Sequence, residues 1–195
     1  RQKVEISLKK TLETNNLFGI GQNGELKNIS FGLFAAEELV SASGTSIPAD
    51  GLIEIVTLDE SGNGTVKTDL PMGSYYVKEL ATDEHYILSD AKYPVTFEYA
   101  GQETAKVQLA VNDGEAIEND LIYGSVSGRK VNENGEPLGG ALIGLFKYND
   151  TEFTKENALM TVTSKEDGSF SFEQIPFGIW YAREIEQPTG FVLNE

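Results

Sequence analysis

The sequence predicts an all-β fold, two tandem Greek-key β-sandwiches of which the second is truncated. Three observations carry this. The first is an internal repeat: Leu70-Pro71-Met72-Gly73-Ser74-Tyr75-Tyr76-Val77-Lys78-Glu79-Leu80 returns 105 positions later as Ile175-Pro176-Phe177-Gly178-Ile179-Trp180-Tyr181-Ala182-Arg183-Glu184-Ile185, and the same offset carries Tyr86-Ile87-Leu88 onto Phe191-Val192-Leu193. A spaced self-match of this length marks two copies of one module. The second is period-2 alternation, the signature of half-buried antiparallel strands. The third is the punctuation between these runs by turn dipeptides: Asn23-Gly24, Asn63-Gly64, Ala100-Gly101, Asp113-Gly114, Asn134-Gly135 and Asp167-Gly168. Many short strands with regular turns are the pattern of a sandwich.

The elements follow in order. Val4, Ile6 and Leu8 alternate with Glu5, Ser7 and Lys9 to form the opening strand. Tyr93, Val95, Phe97 and Tyr99 alternate, as do Val107, Leu109 and Val111, and Phe170 and Phe172 alternate with Ser169 and Ser171. Thr154–Met160 reads as a single helical turn within a loop. The copies join near Leu121-Ile122-Tyr123-Gly124, giving domains 1–121 and 122–195. The first copy is longer, with loop elaborations over Asn15–Asn28 and Ser41–Ile55. After Leu88 it runs through two more alternating segments to about Asn119, whereas after Leu193 only Asn194 and Glu195 remain. The second copy is therefore expected to lack its last two strands.

Composition narrows the function. The net charge of −16 repels nucleic acid and anionic membrane. No apolar run approaches the roughly 20 residues needed to span a bilayer. The charged first residue is followed by no apolar stretch, so no signal peptide is read, and a secreted protein would already have lost one. The absence of Cys removes disulfides and thiolate chemistry, so any covalent brace must use other groups. No constellation for a cofactor, a metal or a turnover enzyme is visible.

One set of polar residues shares phase with the apolar side of its strands. Lys10 follows Val4, Ile6 and Leu8 inward while Lys9 points out, and a one-residue slip would exchange them. Lys130 follows Val126 and Gly128. Glu79 and Glu184 fall in step with core aromatics, where a carboxylate is costly unless paired or protonated. Asn119 follows Ile117. Blander readings are assigned elsewhere. Asp59-Glu60-Ser61-Gly62-Asn63-Gly64 is a hairpin turn, because position twelve of a calcium loop would be Leu70. His85 is a solvated loop residue, Leu70-Pro71-Met72-Gly73 is the turn before a strand, and Trp180, aligned with Tyr75, is core.

Both copies resemble the B-type repeat of collagen-binding surface adhesins and pilins of Gram-positive bacteria, the SpaA/CnaB-like family with a prealbumin-like fold. Lys130-Val131-Asn132-Glu133-Asn134-Gly135-Glu136-Pro137-Leu138-Gly139-Gly140-Ala141 resembles its opening lysine, acidic turn and Pro-Leu-x-Gly-Ala. Tyr75-Tyr76-Val77-Lys78-Glu79 and Trp180-Tyr181-Ala182-Arg183-Glu184 resemble its glutamate strand, Pro188-Thr189-Gly190-Phe191-Val192-Leu193 the stretch after it, and Ile117-Glu118-Asn119 its closing asparagine.

The resemblance implies a self-formed isopeptide bond: Lys10 as nucleophile, Glu79 as proton relay, Asn119 as acceptor. Its chemical logic is that burial makes a neutral amine available and favours a protonated carboxyl that polarises the amide. The resemblance likewise implies Lys130 as the isopeptide lysine and Glu184 as the catalytic glutamate of the second copy, but no asparagine maps to them, since Asn194 comes too soon; the pair is read as unbonded, and the blander reading is a plain salt bridge. The resemblance also implies an extracellular, cell wall-attached protein whose partners are neighbouring domains of the same surface chain. A second class of function is a ligand-binding adhesive module: domain 1 loops that expose Leu17, Phe18 and Ile20 would recognise a host or matrix component.

Overall fold

The computed structural model describes residues 2–41, 43–188 and 190. The chain divides into two compact units, residues 1–14 with 20–121, and residues 15–19 with 122–195.

Among the described residues unit 1 contains ten strands: β1 (Lys3–Leu12), β2 (Ser30–Ala35), β3 (Leu39–Val40), β4 (Ser46–Ile47), β5 (Leu52–Thr57), β6 (Asn63–Thr65), β7 (Gly73–Ala81), β8 (Lys92–Phe97), β9 (Lys106–Ala110) and β10 (Ile117–Asn119). One sheet runs β5-β2-β7-β8. The other runs β10-β1-β6, with β9 also on β1. The inward residues of both sheets make the core, including Ile6, Leu8, Phe31, Leu33, Tyr75, Val77, Val95, Phe97 and Ile117. In β1 the burial alternates as the sequence predicts, with Ile6, Leu8 and Lys10 in and Ser7 and Lys9 out.

The closing arrangement matters most for the site. β9 pairs in parallel with the first half of β1, Lys3 opposite Lys106 through Ser7 opposite Ala110. A 3-10 turn, Val111–Gly114, follows, and β10 then takes the second half of β1, also in parallel, with Lys10 opposite Ile117 and Leu12 opposite Asn119. The first and last strands of the unit are thus neighbours.

Several expectations need correction. Among the described residues three strands follow β7, not two, because β10 is only three residues long, too short for its buried-exposed-buried pattern to read as a strand in the sequence. The Asp59–Gly64 segment is a turn, with Asp59 Oδ1 accepting the Ser61 and Asn63 amides, yet it carries the chain from one sheet to the other, since β5 pairs with β2 and β6 with β1. Tyr99 lies beyond β8 and is exposed. Phe18 and Ile20 are buried, at 7% and 5% exposure, and of the three loop residues only Leu17 is open, at 52%. The reason for Phe18 is that segment 15–19 groups with unit 2, where its ring meets Trp180 edge-on at 4.8 Å. The elaborated loops are ordered by their own contacts. Buried Glu25 accepts the Gly21 and Asn23 amides, and the second loop carries the β3–β4 hairpin. His85 is partly covered, with Nδ1 2.6 Å from Asp83 Oδ1.

Unit 2 repeats half of this plan with β11 (Tyr123–Arg129), β12 (Leu142–Lys147), β13 (Met160–Thr163), β14 (Ser169–Pro176) and β15 (Trp180–Glu186). β11 pairs with β14 as β1 pairs with β6, and β12 lies between β13 and β15 as β2 lies between β5 and β7. Thr154 to Ala158 forms the single helical turn. Trp180 is half-buried rather than core; its indole N–H donates to the Pro176 carbonyl at 2.9 Å, as the hydroxyl of the fully buried Tyr75 donates to Pro71 at 2.5 Å in unit 1. Asn194 and Phe191-Val192-Leu193 lie outside the described residues.

Candidate functional site: a buried lysine, glutamate and asparagine

Lys10, Glu79 and Asn119 are each 2% exposed, which is rare for such residues unless they are partnered. Three separate elements bring them together. Lys10 is the last fully buried residue of the β1 alternation, Glu79 continues the inward phase of Tyr75 and Val77 on β7, and Asn119 ends β10 two residues after buried Ile117. The Lys10 position is fixed from the other edge of β1 as well. Its amide donates to the Gly62 carbonyl at 2.8 Å, and a Cβ on Gly62, whose φ is +81°, would sit 2.2 Å from the Lys10 carbonyl oxygen. Only glycine allows that approach. The contact recurs in unit 2, where Lys130 donates to Gly168 at 2.7 Å and a Cβ there would sit 2.3 Å from the Lys130 carbonyl.

The Lys10 Nζ donates to the carbonyls of Thr11 at 2.6 Å and Ile117 at 2.9 Å, which places the amine on the strand that carries Asn119. Burial lowers its pKa from 10.5 to about 8, with the nearby charges of Glu79, Glu118 and Asp120 pulling the other way. A substantial fraction of neutral, nucleophilic amine is therefore accessible near neutral pH. The Asn119 Nδ2 donates to Glu79 Oε1 at 2.8 Å and Oε2 at 3.0 Å, and to Thr82 Oγ1 at 3.0 Å. Glu79 Oε2 also accepts the Ser89 amide at 2.9 Å. Asn119 Oδ1 is buried and has no hydrogen-bond partner.

The structure thus unites the three residues that the sequence singles out in the first copy, and it resolves the register in favour of Lys10, since Lys9 is exposed. It adds Thr82 and Ser89. Thr82 directly follows β7, and Ser89 lies in the loop before β8; neither belongs to an alternating run. In unit 2, Lys130 Nζ lies 3.2 Å from Glu184 Oε2, with side chains 16% and 7% exposed. That oxygen accepts no hydrogen bond, so the contact is an ion pair outside hydrogen-bond geometry. Among the described residues no group of side chains could hold a metal ion, and no helix is long and apolar enough to cross a membrane.

The family model for the SpaA prealbumin-like fold domain matches residues 5–113 and again 124–195. The chain belongs to this family. Its two SpaA-type domains match solved structures along their whole length. The Bacillus anthracis TIE protein shares 19% identity at a TM-score of 0.65, covering 100% of this chain and 30% of that one. The C-terminal fragment of the pilus adhesin SpaC from Lactobacillus rhamnosus GG shares 14% at a TM-score of 0.52, covering 100% and 79%. At these identities the likeness establishes the fold. A search of curated proteins returns no match. This SpaA-type chain spans less than a third of the TIE protein's length.

Proposed function

We propose that this segment is a stalk module of a Gram-positive cell-surface adhesin or pilin, braced by an autocatalytic Lys10–Asn119 isopeptide bond. The observation that carries the reading is the burial of Lys10, Glu79 and Asn119 in one site at the seam of β1 and β10. A neutral Lys10 amine attacks the Asn119 side-chain carbon, Glu79 passes the amine proton to the amide nitrogen, and ammonia leaves. Fixing the groups in one core supplies the proximity that uncatalysed amide exchange lacks. The reaction occurs once per chain, so the module is not a turnover enzyme.

The topology supports a mechanical role. β1 and β10 are parallel neighbours, and β1 enters from the N-terminal side while β10 leaves toward the next domain. Tension applied through the ends of unit 1 therefore shears these strands past each other. A Lys10–Asn119 bond would carry that load covalently and leave residues 11–118 outside the force path. Partners are then the neighbouring domains of the same surface protein. The adhesive alternative rests on exposed apolar loop residues, and of the three that motivate it only Leu17 is exposed.

Single-molecule pulling through the ends tests the stalk reading. Wild type should show no unfolding step from unit 1, whereas Lys10→Ala should release roughly 110 residues at about 3.4 Å each. A step of that full length in wild type overturns the reading.

A further inference from the structure

We propose that Thr82 is a catalytic hydroxyl of the cross-linking site, the second arm of an oxyanion hole whose first arm is Glu79; this rests on the isopeptide reading above. The Asn119 carboxamide has two orientations, related by a half-turn about its last side-chain bond. In the one observed, Nδ2 faces both Glu79 and Thr82, and both accept from it. That pose suits an ionised carboxylate, which can only accept. It leaves Oδ1 buried without a donor. Attack by the Lys10 amine puts negative charge on this oxygen, so the observed pose has nothing to receive it.

The half-turn places Oδ1 where Glu79 and Thr82 converge. Two kinds of group can reverse their hydrogen-bonding sense there. A carboxyl does so by taking up a proton, and a hydroxyl does so by rotating its O–H, since it is donor and acceptor at once. With Glu79 protonated, both groups donate to Oδ1 during addition, the geometry that stabilises developing oxyanions. After addition Cγ is tetrahedral and joined to Nζ, so Oδ1 keeps its hydrogen bond from Thr82 while Glu79 passes its proton to Nδ2 and takes up the one that Nζ releases. The Nζ–Cγ bond forms, the Cγ–Nδ2 bond breaks, one ammonia leaves, and Glu79 and Thr82 end as they began. Thr82 is the partner that holds the oxyanion without changing its protonation state. The position 105 residues later is Gln187, so this hydroxyl is not repeated in the second copy.

The test is the rate of bond formation in the full chain, followed by quenching cell-free synthesis in denaturant at timed intervals and reading ammonia loss by intact mass. Thr82→Val keeps the shape and removes the hydroxyl, and should slow closure by about 100-fold, the usual loss for one oxyanion donor. Thr82→Ser should close within a few-fold of wild type. In the non-reacting Glu79→Ala background, adding Thr82→Val should leave the melting temperature unchanged. Closure of Thr82→Val at the wild-type rate overturns the proposal. So does equal slowing of the Val and Ser variants, or a melting drop in the Glu79→Ala background, since either marks a packing role. A wild-type chain that never loses ammonia removes the isopeptide reading itself, and is distinct from a wild type that closes alongside an equally fast Thr82→Val.

Discussion

Replacing Lys10 by methionine should lower the stability of unit 1 by about 3 kcal/mol less than removing its acceptor does. Both changes abolish the cross-link. Closing a loop of about 110 residues contributes about 5 kcal/mol by the chain-entropy relation used for disulfides. For a domain of this size that corresponds to roughly 20 °C in Tm or more. The variants differ in what they leave buried. Asn119→Ala keeps the Lys10 amine, whose pKa is lowered from 10.5 to about 8 chiefly by burial. At pH 7 the folded state must hold an ammonium that it disfavours by about 3 kcal/mol relative to the unfolded chain. Methionine, of similar length and uncharged, carries no such penalty. The expected order of melting is wild type, then Lys10→Met, then Asn119→Ala. The unfolded chain binds more protons than the fold between pH 8 and 10.5, so Asn119→Ala should gain stability across that window, and below it the full penalty should persist. Wild type, with the amine converted to an amide, and Lys10→Met should lack this gain. Urea unfolding at pH 7 and about pH 10 measures it. If Asn119→Ala shows no rise with pH, or Lys10→Met melts with wild type, the reasoning fails.

Three further outcomes follow from the same geometry. Closure needs a neutral amine and a protonated carboxyl, which together hold one proton, so once the pair loses that proton above about pH 8 the rate should fall about tenfold per pH unit; stopped-time mass spectrometry reads the limb, and a rate that keeps rising above pH 8 contradicts the Glu79 role. Gly62→Ala drives a Cβ into the Lys10 carbonyl at positive φ and should cost at least about 2 kcal/mol in denaturant unfolding, where an unchanged midpoint would show that the seam relaxes freely. Lys130→Met strands the buried Glu184 charge and should destabilise unit 2 by about 3–5 kcal/mol, whereas adding Glu184→Leu should recover most of it; equal stability of the single and double variants would mean that the ion pair is not coupled.

The site was legible where a strand has one buried face. Period-2 alternation in β1 separates Lys10 from Lys9 because a slip of one residue would bury Ser7 and Lys9 and expose Ile6 and Leu8. The same logic places Glu79 with Tyr75 and Val77. β2 was not legible, because Phe31, Gly32, Leu33 and Ala35 are all buried and no alternation survives. The available signal was a repeat: Gly32-Leu33-Phe34 and Gly144-Leu145-Phe146 each lay a phenylalanine ring over the glycine, where a Cβ would meet it at 2.6 and 2.7 Å. The phase of Ile117 and Asn119 is readable, but β10 is not readable as a separate strand, because three residues are too few to establish a period. Thr82 and Ser89 escaped because they act from outside the strands, through a hydroxyl and a backbone amide whose positions depend on how the chain turns after β7. The loop residues Phe18 and Ile20 read as exposed because the sequence does not show what lies over them.

The most direct test of the central claim is the intact mass of the purified chain, followed by fragmentation of its proteolytic peptides. The account predicts a mass one ammonia below the sequence mass and a branched peptide joining Lys10 to Asn119, retained in Lys9→Ala and lost in Lys10→Ala, Glu79→Ala and Asn119→Ala. A wild-type mass equal to the sequence mass, or a branch at Lys9, would contradict it.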